Sequence, residues 1–499
     1  MTAAQKHPRV WRLVRHAWKL VLLAAALWLA VAIGFAAQAW WRLPDLSAWH
    51  TLVLANEFHA RKANAPKTFT EYLALEDRLF DEFKQRIYAT PGNADTVPFG
   101  RYTPGSVVAQ LALDAPGNRS SVESAPNPRG AILLLHGLTD SPYSLHAVGA
   151  EFRERGFDVV SLRLPGHGTV PAALTQVEWE DWAAAALLAA RHTAALAGPD
   201  KPYYIAGYST GAPIALMIAL RAIDDKSVPM PRRLFLFSPA IGVSDFAVMT
   251  NAASGLAFVP GLERARWLDV LPEYDPYKYN SFPVNAANQV WGVTRALEHA
   301  LADAQQRGVL DRMPTVTAFQ SLVDATVLAA DVGTKLFARL PTRGHELVVF
   351  DMDRSRLLAG LIAPFPKRAF DKLMDAPALP FRLTVIGNRT ADAPEVAEWI
   401  REAGSRDLVP RPLGLAWPPD LISLGHLATP MPADDPLYGI HPAPRPGGPA
   451  FTLGGPAPRG ESGALLVPLG SLARIHGNPF FPVVVSRIDA AVHADGAAQ

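Results

Sequence analysis

The chain has 499 residues, about three times the ~150 of a typical domain, so a peptide or small module is excluded. Its 47 Lys and Arg stand against 46 Asp and Glu, a net charge of +1, which argues against the broad basic surface that nucleic-acid backbones demand. Hydrophobic residues make up 49% and charged residues 19%, enough apolar material for a packed interior and against global disorder. With no cysteine, disulfide frameworks, thiolate metal sites and thiol nucleophiles are all ruled out.

The basic N-terminus, 1–19, carries Lys6, Arg9, Arg12, Arg15 and Lys19 and no acid. It is followed by 22 uncharged residues, Leu20 to Trp41. As a helix these would reach roughly 33 Å, enough for a hydrocarbon core of about 30 Å. A transmembrane anchor over 20–41 is therefore expected. By the positive-inside rule the N-terminus is cytoplasmic and the remainder is periplasmic or extracytoplasmic, a single-pass inner-membrane arrangement if the source is prokaryotic. Ala37-Gln38-Ala39 has the small-x-small pattern of a cleavable signal peptide, but the apolar stretch exceeds the usual h-region of ~7 to 15 residues.

Residues 42–128 read as a helical and linker region. Phe69, Tyr72, Leu73, Leu79, Phe80, Phe83 and Ile87 fall at helical spacing and predict an amphipathic helix over 69–87. A Ser-, Asn- and Pro-rich loop, 120–129, precedes the first strong strand. Strands are then expected at 131–135, 157–162, 203–206 and 234–237, with helices at 145–154, 179–196 and 212–223 between them. This alternation specifies an α/β fold with a mostly parallel central sheet and helices on both faces. An aromatic-rich insert, 241–310, reads as a helical cap before strands at 315–319 and 346–350, and strand-like pieces follow at 381–385 and 482–485. Residues 410–479 hold 15 prolines and 11 glycines, so an irregular, wrapping tail is expected. The catalytic domain is placed at 129–430 and the Pro/Gly-rich extension at 431–499.

The most informative stretch is Gly207-Tyr208-Ser209-Thr210-Gly211, a G-x-S-x-G pattern between a strand and a helix. A sharp turn there lifts a serine above the sheet in a strained conformation, and the glycines allow strand and helix to approach closely. With Leu134-Leu135-His136-Gly137-Leu138 and Leu162-Arg163-Leu164-Pro165-Gly166-His167-Gly168-Thr169, the chain resembles the α/β-hydrolase superfamily. Within it the resemblance is to the monoacylglycerol lipase, lysophospholipase and serine aminopeptidase-like group, over about 129–330 and again near 415–430. The resemblance implies an α/β-hydrolase fold with Ser209 as nucleophile. It also implies backbone N–H donors to the oxyanion at Leu138 and Thr210, with His136 in support; His167, in a Pro-Gly-rich turn, reads as structural.

In this fold the order is serine, acid, histidine. Asp324 follows the strand 315–319 at its carboxyl end, where active-site residues of open parallel sheets collect, and its loop resembles the family's acid loop. A helix cap is its structural alternative, and Asp351 and Asp353 after strand 346–350 are the fallback acids. Five histidines lie beyond Asp324. His345 and His476 precede strands, His441 lies in the Pro-rich tail and His493 near the terminus. His426 follows the apolar run 421–424, and Ser423-Leu424-Gly425-His426 with Leu427-Ala428-Thr429-Pro430 resembles the family's histidine loop. Its 102-residue distance from Asp324 is long for the superfamily.

The expectation is a membrane-anchored serine hydrolase acting on a carboxylic ester of moderate hydrophobicity, such as a lysophospholipid or monoacylglycerol, through an acyl-enzyme. It requires no metal and no cofactor. Its partners would be a small acyl ester or lipid and the membrane, and no nucleic acid. A proline-releasing or aminopeptidase-like peptidase and a non-catalytic envelope binding protein are the rival readings.

Overall fold

The computed structural model describes residues 8–114, 116–242, 263–324, 326–355, 371, 374–376, 378–419, 421–444, 451–454 and 476–496. Among these residues ten strands form one sheet: β1 (Ser121–Glu123), β2 (Gly130–Leu135), β3 (Phe157–Leu162), β4 (Tyr203–Tyr208), β5 (Arg233–Phe237), β6 (Thr315–Ser321), β7 (Glu346–Phe350), β8 (Arg382–Asn388), β9 (Glu395–Arg401) and β10 (Val409–Ala416). Their spatial order is β1-β3-β2-β4-β5-β6-β7-β8-β9-β10. The block from β3 to β8 is parallel throughout, and β1, β9 and β10 are antiparallel additions at the two edges.

The central strands are buried on both faces, as a sheet covered by two helical layers requires. Alternate residues of β2 serve opposite layers: Ala131, Leu133 and Leu135 join one core, and Ile132 and Leu134 the other. Before these layers stand helices α1 (Pro8–Arg42) and α2 (Phe69–Ile87). The first layer is built by α4 (Trp179–Ala197), α5 (Gly211–Asp224) and α6 (Val284–Gln306), the second by α3 (His146–Glu154) and α7 (Phe481–Gly496). Helix α2 carries a Thr68 N-cap, whose side chain accepts from the Glu71 amide, and adds its apolar face at Phe69 and Tyr72 to the first core.

Several sequence expectations are corrected. Within the expected insert, residues 243–262 lie outside the described residues, and α6 lies in the first helical layer, packing Ala286, Val293 and Leu297 into that core. The segment around 482–485 is helical, because Val484, Ile488 and Ala491 are buried at helical spacing; a short β-branched run does not by itself distinguish the two states. The run 421–424 forms no strand and makes only an isolated bridge between Ser423 and Met352. Strand β10 arises where Pro410 and Pro412 suggested irregular chain; it is an outermost strand with exposed residues, the one place a sheet tolerates missing amide donors.

The expected membrane span is also corrected. Helix α1 runs through 20–41, but among the described residues no helix is long and apolar enough to cross a membrane. The helix starts in the basic segment, with Arg9, Arg12, Arg15 and Lys19 along its first part. Its C-terminal end docks on the chain near 264–270: Arg42 pairs with Asp269 at 3.2 Å, and the Arg264 guanidinium lies 4.8 Å from the Trp40 ring centroid.

The Arg163 stretch has a structural explanation. Its buried guanidinium bonds Glu57 Oε1 at 3.0 Å, Glu76 Oε2 at 3.1 Å and the His167 carbonyl at 3.0 Å. This joins the region before the sheet to the loop after β3. Arg163→Ala would leave two buried carboxylates without their cation. We expect a loss of about 3 to 5 kcal/mol in urea unfolding; a loss below about 1 kcal/mol, the scale of a surface pair, would show that the hub contributes nothing special.

Candidate active site

Strand β4 ends at Tyr208 and α5 begins at Gly211, leaving two residues to reverse direction. Ser209 makes the turn with φ +51°, a left-handed conformation that costs a non-glycine residue on the order of 1 to 3 kcal/mol. It is held by its amide on the Phe237 carbonyl (2.9 Å) and by its own carbonyl, which accepts from Ala212 and Ala240 (both 3.1 Å). The glycines are steric necessities. A Cβ on Gly207 would come 2.7 Å from the Ala212 Cα, and one on Gly211 would overlap the Leu135 carbonyl.

Register carries the rest to the same edge. Leu135 pairs with Gly207, Tyr208 with Phe237, Phe237 with Phe319, and Ser321 with Phe350. The loops after β2, β4, β5 and β6 therefore leave from one end of the sheet, and the structure brings Ser209, Asp324 and His426 together there. His426 Nε2 lies 2.9 Å from Ser209 Oγ, and His426 Nδ1 lies 2.6 Å from Asp324 Oδ2. All three are shielded, with 8%, 2% and 6% of Ser209, Asp324 and His426 exposed.

Asp324 is an acceptor on every side. Oδ1 takes the amides of Thr326 (2.8 Å) and Val327 (3.0 Å), and Oδ2 takes Gln320 Nε2 (3.0 Å) besides the histidine. Burial pushes its carboxyl up. The bond and charge of His426 and the Val327 and Thr326 amides outweigh that and hold it below the ordinary value. The helix-cap alternative is not realised, since the next helical turn, Ala329–Asp331, has Leu328 at its N-cap; Oδ1 instead holds the turn at Thr326 and Val327 while Oδ2 faces the histidine.

The histidine loop is fixed by groups the sequence reading did not single out. The Ser238 and Thr429 hydroxyls lie 3.1 and 3.2 Å from the His426 carbonyl oxygen and 2.5 Å from each other, so one donates to that carbonyl and the other to its neighbour. Ser321 Oγ donates to the Leu424 carbonyl at 2.6 Å. The available signal was positional: Ser238 directly follows β5 and Ser321 ends β6, both on the edge that carries Ser209. Ser238 also has φ +41°.

Leu138 and Thr210 lie on the two loops flanking Ser209, and among the described residues their backbone N–H groups donate to no protein acceptor. His136 orients the first loop. It accepts the Leu164 amide at Nε2 (2.9 Å) and donates from Nδ1 to the Gly137 carbonyl (2.8 Å). Burial, with the nearby His167, holds its pKa well below the usual imidazole value, so it stays neutral. His167 is buried against Trp182 and His136, a packing position.

The fallback groups are elsewhere. Asp351 pairs with Arg354 at 2.8 Å, and Asp353 accepts from Ser355 and Asn388. His345 accepts the Val316 amide near the start of β6. His441 and His493 are exposed, and the His476 ring packs on Tyr438.

A strap over 271–283 closes on the Leu138 loop. Tyr279 N donates to the Thr139 carbonyl (2.8 Å) and Lys278 Nζ lies 3.2 Å from Asp140 Oδ2. Asp275 organises it: Oδ1 accepts the amides of Tyr277 (2.9 Å) and Lys278 (3.0 Å) and the Tyr438 hydroxyl (2.6 Å). Burial pushes the Asp275 carboxyl up to about 6, against those bonds and Lys278 and with help from Asp140.

Residues 126–340 match the family model described as serine aminopeptidase, S33. No curated protein matches the chain. Among solved structures, it is similar to one reported with the metagenome-derived lipolytic enzymes LipS and LipT (19% identity, 52% of this chain and 98% of that one, TM-score 0.37). It is also similar to a monoacylglycerol lipase from Paleococcus ferrophilus (16%, 51% and 97%, TM-score 0.35) and a soluble variant of the monoglyceride lipase of Saccharomyces cerevisiae (13%, 46% and 82%, TM-score 0.35).

The strap makes a pH prediction. The folded state holds the Asp275 proton more tightly than the unfolded chain, so this group's contribution to stability falls as pH rises from about 4 to about 7. Asp275→Asn keeps the Oδ1 acceptor and removes the titration. In urea unfolding, the stability of the wild type minus that of Asp275→Asn should decline over that interval; a flat or rising difference would refute it.

Proposed function

We propose that this protein, whose residues 126–340 match the family model described as serine aminopeptidase, S33, is an α/β-hydrolase and a serine hydrolase of carboxylic esters with Ser209 as nucleophile. The observation that carries the reading is one imidazole bridging a strained serine and a buried carboxylate, at 2.9 and 2.6 Å. Asp324, fully supplied with donors, accepts from Nδ1–H and so leaves the Nε2 lone pair for the Ser209 hydroxyl.

As Oγ attacks an acyl carbonyl, its proton passes to Nε2 and the imidazolium is stabilised by Asp324. The tetrahedral oxyanion takes the free N–H groups of Leu138 and Thr210, donors already in place and needing no reorganisation. His426 returns the proton to the leaving alcohol, forming the acyl-enzyme, and then activates the water that hydrolyses it. Serine acylation of this kind draws on no metal or cofactor.

For the substrate we favour an amphiphilic ester of the lysophospholipid or monoacylglycerol type. Leu427 directly follows His426 and is half-buried, an apolar neighbour of the imidazole that suits the apolar part of such an ester. The family description, serine aminopeptidase, favours a second reading, cleavage of an aminoacyl amide at the same serine.

A fluorophosphonate probe should label the wild type and leave Ser209→Ala unlabelled, and for turnover Ser209→Ala should lower kcat by on the order of 10⁶. A folded wild type that does not label ends the serine-hydrolase reading. A panel setting short-acyl esters and monoacylglycerols against aminoacyl amides decides between the two substrates, and faster turnover of the amides would replace the ester reading by the peptidase one.

A further inference from the structure

The parallel strands have a second end. Tyr203 opens β4, Arg233 opens β5 and Thr315 opens β6, and these residues line a cleft of about 690 Å³ on the edge opposite Ser209. Small-molecule sites span roughly 300 to 1,000 Å³. Six residues of β4, at about 3.3 Å each, put the cleft roughly 20 Å from the nucleophile, so its occupant is not the ester being cleaved.

The lining carries five cationic side chains, Lys201, Arg232, Arg233, Arg312 and Arg343, against two carboxylates, Asp200 and Asp495. Arg232 and Arg233 share the single carboxylate of Asp495, at 3.4 and 2.7 Å. Arg312 and Arg343 are tethered by the backbone carbonyls of Ile223 and Asp311. A carbonyl fixes the direction of a guanidinium without cancelling its charge and leaves its other N–H groups available. Crowding like charges is costly, and a single anion relieves it.

We propose that this cleft is a binding site for a phosphate-bearing ligand. Several acceptor oxygens on one centre match the fan of guanidinium forks, which a point charge would not use. The phosphate belongs either to a soluble phosphorylated compound or to a phospholipid headgroup. The site stands apart from ester hydrolysis.

The test is calorimetric titration of the full-length protein with pyrophosphate, alongside co-sedimentation with phosphatidylcholine vesicles with and without phosphatidic acid. Saturable pyrophosphate binding should weaken about ten-fold or more in Arg312→Ala, the scale of one charged hydrogen bond, and likewise in Lys201→Glu. Lys201 is exposed, so its reversal spares the fold even if Arg312→Ala does not. Pyrophosphate binding alone identifies a soluble ligand, and phosphatidic-acid-dependent sedimentation that Lys201→Glu abolishes identifies a headgroup. Absence of both, or binding and sedimentation that neither charge variant alters, overturns the proposal. Ser209→Ala should bind as the wild type does, so failure here and failure of the hydrolase reading are separate results.

Discussion

Everything at the candidate site depends on the backbone of one residue, Ser209, being held with φ +51°. The conformation is unfavourable in isolation and persists because three elements impose it: β5 takes its amide, the start of α5 takes its carbonyl, and Gly207 and Gly211 leave no side chain between strand and helix. The bend projects Oγ beyond the sheet edge, where a neighbouring loop can reach it. Without it, Ser209 would continue the strand alternation and face a helical layer. The unfavourable dihedral, on the order of 1 to 3 kcal/mol, is offset by the packing of an entire β-α unit.

The second constraint is that the histidine must return from far along the chain. Asp324 and His426 are 102 residues apart, and four further strands lie within the interval. After β6, strands β7 to β10 extend the sheet outward, and the chain comes back through the Ser423–Met352 bridge to place Gly425-His426 beside Ser209. A loop returning over such a distance has no regular ladder of its own. Its backbone is secured at the His426 carbonyl by the Ser238–Thr429 hydroxyl pair and at the Leu424 carbonyl by Ser321. The hydroxyls act on the backbone of the loop, so the ring keeps both nitrogens for Ser209 and Asp324.

What was legible in the sequence follows from the same physics. Strands β2 to β7 and helices α2 to α5 declare themselves by apolar periodicity, and the glycine spacing around Ser209 requires a tight turn, so both fold and nucleophile could be read locally. Asp324 followed from chain order and a strand end, whereas His426 followed from chain order and the resemblance of its loop, since the run before it forms no strand. The segments that misled are those where local pattern and tertiary role disagree. Pro410 and Pro412 look like a sheet breaker but sit in an outermost strand, and the β-branched start of α7 looks like a strand but packs on a helical period. The serines that hold the histidine loop leave no periodic trace, since each acts once, through a hydroxyl, on a carbonyl about one hundred or more residues away.

The C-terminal segment belongs to the same polar framework, and a domain boundary drawn after residue 430 would cut through it. Asp435 accepts the amides of Leu437 (2.9 Å) and Tyr438 (2.6 Å) and lies 3.1 Å from His146 Nε2. Tyr438 in turn donates to Asp275, whose turn carries Lys278 to Asp140, two residues past Leu138. Each neutral link is worth only about 0.5 to 1.5 kcal/mol net. The carboxylates are buried, however, and breaking one link strands a charge at several times that cost. The position of the Leu138 amide is thus set jointly by β2, by the strap and by a Pro-rich segment roughly 300 residues downstream, a coupling that apolar contacts, tolerant of small shifts, could not enforce with the same directional control.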